Sequence, residues 1–139
     1  MSFTYGELKT AIQDFTENTE TSFVNNLPVF IRSCEDRIFT LVDLELFRKN
    51  AVSTLTIGDP YLNVPVDYLA PFSLQITTAN YKEFLLFKDV NYLQEYYNTV
   101  GSNETPKYYG VFDVDNFILA PTPNLAYDVE LHYYYRPAS

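Results

Sequence analysis

Hydrophobic positions along this chain change their period once. Up to about residue 48 they recur at three- and four-residue spacing, and from about residue 50 they tend to alternate with polar ones. Thr4 and Glu7 match an S/T-x-x-E capping box, and Tyr5, Leu8, Ile12 and Phe15 follow on one predicted helical face. The polar run TENTET at 16–21 predicts the end of that helix. A second helical stretch is expected from near Ser22, with Pro28 marking a break or a fresh first turn within it. Phe30 or Ile31, Cys34, Ile38 and Leu41 then form a stripe, with Arg32, Glu35, Asp36 and Arg37 mostly off it. Val29 and Phe39 fall outside the stripe, so this helix carries apolar surface on more than one side and calls for a second packing partner.

Strand and turn signals take over at AVSTLTI (51–57), which is β-branched and closes on the turn signal GDP. In YLNVPVDYLAP, Pro65 and Pro71 are expected to limit any strand to short or edge pieces. FSLQITT (72–78) alternates, KEFLLFK (82–88) is a short apolar strand, and DVNYLQEYYN (89–98) predicts a short helix capped by Asp89. A loop through 99–105 leads to KYYGVFD, NFILAP and the closing AYDVELHYYYRPAS, three further strands joined by tight turns. On the last of these Tyr127, Val129, Leu131, Tyr133 and Tyr135 point one way, toward a core. Asp128, Glu130, His132, Tyr134 and Arg136 point the other way, and Tyr134 has no evident duty among those charges. The fold class is α+β: N-terminal helices packed as a partial bundle (1–48), followed by an antiparallel β-domain with a short helical insertion (49–139), the whole forming one compact unit.

Composition narrows what such a chain does. Its 139 residues are enough for one domain with a real core, and 47% are hydrophobic against 19% charged. A net charge of −9 repels phosphate backbones and anionic membranes, so neither nucleic-acid binding nor a membrane is expected. The N-terminal MSFTYGELKTAI lacks the basic-then-apolar order of a signal peptide. A lone Cys34 permits no intrachain disulfide and no cysteine-based metal site, which makes reduced, intracellular synthesis the expectation. The DVDN run at 113–116 starts like a calcium loop, but Ile118 and Asn124 stand where Gly and a bidentate Glu are needed, so a hairpin turn is expected. His132 is the sole histidine, Glu35 and Asp36 diverge around their helix, and no glycine-rich phosphate cradle occurs. No catalytic, cofactor-binding or metal-binding residue is therefore assigned, and no enzyme activity is expected. Tyrosine excess without Trp leaves a carbohydrate-binding β-module of a tail or secreted protein as the alternative class.

Three features occur together in order: E-x-R-I at Glu35–Ile38, the y-L-x-V-P-x-D turn ending at Pro65 and Asp67, and a C-terminal block. That block runs P-x-Y-Y, then L-x-P-x-P at Leu119, Pro121 and Pro123, then the tyrosine-rich strand. In this the chain resembles the head-to-tail adaptor (connector) family of short-tailed bacteriophages, the group that includes tail tubular protein A. The resemblance implies a virion structural protein of the neck, made in the cytoplasm of a bacterial host. It further implies a ring of copies, typically dodecameric, between the portal protein and the tail nozzle protein, with DNA passing through its lumen. Adaptors of this kind usually continue into further helices after the tyrosine strand, so a neighbour is expected to cover Val29 and Phe39. Tyr134 is expected to pack against a neighbouring subunit or the portal.

Overall fold

The computed structural model describes residues 3–42, 44–97 and 102–137. These residues form two compact units, an N-terminal one ending at Val42 and a second made of the residues beyond it. The fold is α+β.

In the first unit, α1 spans Tyr5–Thr16 and begins at the capping box read from the sequence. Glu7 N–H donates to Thr4 Oγ1 (3.3 Å) and Thr4 N–H to Glu7 Oε2 (2.8 Å), so two amides without helical partners are satisfied. Glu17, at φ 50°, closes the helix in the left-handed region. Of the expected stripe, Tyr5 and Phe15 are exposed, while Leu8 and Ile12 are half-buried. Helix α2 spans Thr21–Leu41 without interruption, so Pro28 is not the break or first turn that its ring predicts. Pro28 lies on the exposed side of α2, next to buried Leu27. It removes the hydrogen bond to the carbonyl four residues back without disturbing the packed side.

The second unit starts with a 3-10 turn at Glu45–Phe47 and continues through β1 (Arg48–Thr54), β2 (Tyr61–Asn63), β3 (Tyr68–Thr77) and β4 (Lys82–Phe87). Helix α3 (Val90–Tyr96), β5 (Asn103–Glu104), β6 (Tyr108–Val111), β7 (Asn116–Ala120), β8 (Thr122–Pro123) and β9 (Asp128–Tyr135) complete it. Seven strands form one sheet in the order β1-β9-β3-β4-β6-β7-β2, while β5 and β8 pair separately. The sheet is mixed rather than wholly antiparallel. The reason is α3, which carries the chain from β4 back to the start of β6 so that the two run parallel. Gly110 makes the close approach of α3 possible: a Cβ there would lie 2.6 Å from the Lys88 carbonyl oxygen and 3.1 Å from Leu93 Cδ1.

Pro65 ends β2 as its chemistry demands, but Pro71 does not: β3 runs through it for ten residues near the middle of the sheet. The register against β9 slips between Pro71 and Ser73, and β4 pairs only from Leu74 onward. Pro71 therefore sits at a bulge without a β4 neighbour, where its missing N–H leaves no ladder bond unmade.

The inner face of the curled sheet collects Leu55, Leu62, Leu74, Ile76, Leu85, Tyr109, Phe117, Leu119, Val129, Leu131 and Tyr133 into one core. Phe117 is fully buried, with the rings of Tyr68 and Tyr109 edge-on to it at 5.3 and 5.4 Å. Leu131 is 5% exposed in the same core, on the face of β9 that alternation assigned to it. Leu131→Asp places an unpaired carboxylate there, and the chain is expected to lose its near-UV circular dichroism and its cooperative thermal transition. A cooperative melt within a few degrees of wild type would show that β9 is not core-facing at this position.

Candidate interaction surfaces

The residues of the y-L-x-V-P-x-D turn and the tyrosine strand meet in the second unit. Asp67 accepts hydrogen bonds from Lys49 Nζ (2.6 Å) and Tyr133 Oη (2.8 Å), and its backbone carbonyl accepts from Arg136 N–H (2.8 Å). The Lys49 ammonium holds the Asp67 carboxyl below the usual carboxylate range, with the Tyr133 hydroxyl adding to it. Burial, reinforced by that carboxylate, pushes the Tyr133 phenol up to about 12. Lys49 also lies 4.1 Å from the centre of the Tyr135 ring. In the L-x-P-x-P turn Leu119 and Pro123 are fully buried, and Leu119 N–H donates to Pro60 O (2.7 Å). Tyr127 Oη donates to Asn124 Oδ1 (2.8 Å) and shares a 2.9 Å hydrogen bond with Thr105 Oγ1. These residues hold turns against strands.

The structure gives Tyr134 a duty that the alternation of β9 did not show. It lies on the outer face of β9, as alternation requires, yet it is only 9% exposed and has partners in its own chain. Arg48 Nε and Nη2 donate to its hydroxyl at 3.3 and 3.2 Å, and the Phe72 ring stands edge-on to it at 6.1 Å. The Arg48 guanidinium covers Phe72 at 4.2 Å and also reaches Glu45. Arg48 stands opposite Tyr134 in the β1–β9 register, a pairing 86 residues apart that a period-two reading of one strand has no means to show. The ring thus has an intrachain reason to stand where it does.

The other two candidates lie on α2 of the first unit. Val29 is 62% exposed, and Phe39 is half-buried. The structure also opens a larger apolar surface that the stripe foreshadowed. Leu8 and Ile12 of α1, with Phe23, Leu27, Phe30, Ile31, Cys34 and Ile38 of α2, line a groove of about 440 Å³. Only Leu27 and Ile31 among the described residues of these two helices are buried. Val29 and Phe39 are not among the groove-lining residues, so α2 presents apolar surface outside the groove as well.

Polar clusters in the second unit have structural explanations. Glu130 accepts hydrogen bonds from Asn50 and Gln75 and lies 3.6 Å from Lys82 and 3.7 Å from His132. The Asn50 contact, with Gln75, Lys82 and His132, holds its carboxyl below the usual range. Asp113 accepts from Asp115 N–H (2.8 Å) and Asn116 Nδ2 (3.1 Å), forming the turn between β6 and β7 in place of an ion-binding loop. Among the described residues no group of three or more His, Cys, Asp and Glu side chains is placed to hold a metal ion.

Comparison with known proteins adds one finding. The profile of the SU10 adaptor protein family matches residues 3–139, nearly the whole chain. No curated relative matches the sequence.

The Asp67 junction makes a pH-dependent prediction. A carboxyl held below its ordinary pKa by folding stabilises the protein above that ordinary value, and the contribution is lost as pH falls through the lowered one. Lys49 and Asp67 are both partly exposed, so the ion pair is worth about 1 kcal/mol or less after screening. Urea unfolding of wild type and Asp67→Asn should therefore differ by about that much at neutral pH and converge in acid. A gap that persists unchanged at low pH would assign the effect of the substitution to packing instead of charge.

Proposed function

The chain belongs to the SU10 adaptor protein family of phage head-to-tail adaptors, and we propose that copies of it form a ring joining the portal to the tail nozzle around the path of the DNA. Its role as a structural connector in the virion neck follows from the family. The ring, its partners and the passage of DNA are our reading. The observation that supports it is the uncovered apolar groove of α1 and α2 with further apolar side chains outside it. Two helices that bury so little by themselves gain stability only when something covers them. Neighbouring copies, aligned by the portal, supply that cover, and Val29 and Phe39 lie where α2 meets a neighbour. Before assembly the chain is monomeric or polydisperse, because the template provides alignment as well as contacts.

The surplus of 18 Asp and Glu over 9 Lys and Arg suits the wall of a DNA channel. Repulsion keeps a sliding duplex from adhering, over a range of about 8 Å at physiological salt. Two of the exposed tyrosines on which the sugar-binding alternative would draw, Tyr92 and Tyr96, stack on one another at 4.9 Å.

Images of isolated necks should show a ring of this chain below the portal, and a map should show Asp and Glu predominating along the DNA path. Lys and Arg lining that path would contradict the second expectation. Val29→Asp should leave the melting temperature of the isolated chain unchanged and reduce its incorporation into necks about tenfold, the cost of desolvating an unpaired polar group. Full incorporation of Val29→Asp would place Val29 outside the subunit contact. A stable ring seen by light scattering at micromolar concentration without the portal would refute templated assembly.

A further inference from the structure

The seven-stranded sheet ends in β1 on one side and β2 on the other, and both edges border one cleft of about 230 Å³ floored by Val129 and Leu131. The direction of the free backbone groups follows from the hydrogen-bond register. Leu55 N–H donates to Tyr127 O at 2.8 Å, and Ser53 and Ala51 stand opposite Val129 and Leu131. In an antiparallel ladder alternate residues turn both N–H and C=O to the same neighbour. Ala51 and Ser53 therefore face β9, while Asn50, Val52 and Thr54 turn their backbone groups away from it, to the open edge. Across the cleft, Val64 N–H donates to Asp115 O and Leu119 N–H to Pro60 O, so the backbone of Asn63 faces away from β7.

Exposed edges are normally blunted by charge, proline, a bulge or a covering element. On β1 the charges Arg48 and Lys49 stand at one end, and both are engaged within the chain, on Tyr134 and Asp67. From Asn50 to Thr54 there is no charge and no proline, and Val52 is 77% exposed.

We propose that this edge accepts one extended segment of a partner protein, which adds to β1 as a further strand and seats alternate apolar side chains in the cleft. Among the described residues the outward backbone groups of Asn50, Val52 and Thr54 have no ladder partner, which specifies backbone as the ligand. The lining by Ala51, Leu62, Val64, Val129 and Leu131 specifies apolar side chains on the inward positions. The occupant is a single strand and not the sheet edge of a second folded copy, because β2 bounds the cleft opposite β1 and obstructs approach of another sheet. The proposal rests on the adaptor reading for the existence of a partner in the neck, but its own test is separate.

Amide hydrogen exchange read residue by residue, on the isolated chain and on assembled necks, decides it. In the isolated chain Asn50, Val52 and Thr54 should exchange rapidly while Ala51 and Ser53 are protected by β9. In necks the three edge amides should slow by about tenfold or more. Free exchange of these amides in necks that contain the chain overturns the strand and leaves the adaptor reading intact. Absence of the wild-type chain from necks would sink that reading itself. Protection that rises with concentration in the isolated chain would make the occupant a second copy and overturn the assignment to a different partner.

Val52→Pro supplies the functional arm. It deletes an N–H that points away from β9, so the fold should be kept, as edge-strand prolines are. Incorporation into necks should fall about tenfold, since a strand-addition bond is lost and its partner carbonyl is left unpaired. Val52→Thr keeps the N–H and should incorporate normally. Normal incorporation of a folded Val52→Pro chain overturns the proposal, and if that variant does not fold, the exchange measurement alone stands as the test.

Discussion

Backbone pairing of β9 with β1 on one side and β3 on the other joins the two ends of the second unit, aligning Arg48 with Tyr134 and Tyr68 with Tyr135. Every bond in these ladders closes a long loop, so the entropy is lost before the contacts form. What offsets it is the inner face of the same strands, where Val129, Leu131 and Tyr133 share a core with fully buried Phe117. The Asp67 junction and the Arg48–Tyr134–Phe72 contact then act as locks on that register. Each links side chains brought into reach by the β9 pairing.

That dependence accounts for the character of the motifs on which the resemblance to phage adaptors rests. Pro65 and Asp67 shape a turn that is tied to the tyrosine strand, and Leu119 and Pro123 bury a second turn under β2 and β5. Tyrosine suits these positions because its ring fills core while its hydroxyl reaches a polar partner at the rim, as Tyr127 and Tyr133 both do. The result is a braced β-unit with polar groups committed to its own fold. Apolar surface is left over in the groove of α1 and α2, at the open edge of the sheet and on exposed side chains such as Phe84, Leu86 and Phe87 of β4.

By itself the sequence determined what depends on near neighbours. The capping box at Thr4, the Asp89 cap of α3, the Asp113 turn and the inward face of β9 all follow from spacing within one element, and each is found as read. The α+β class and the family resemblance rest on the same local grammar. Tertiary structure decided whatever depended on a distant partner. Pro71 is tolerated in β3 because β4 begins to pair only beyond it, and Pro28 because it lies on the exposed side of α2. The parallel pairing of β4 with β6 needed the path of α3, and the β1–β2 cleft needed the curl of the whole sheet. Tyr134 shows the reason most directly: alternation gives the side of a strand on which a ring stands, but only the fold supplies Arg48 and Phe72 to cover it.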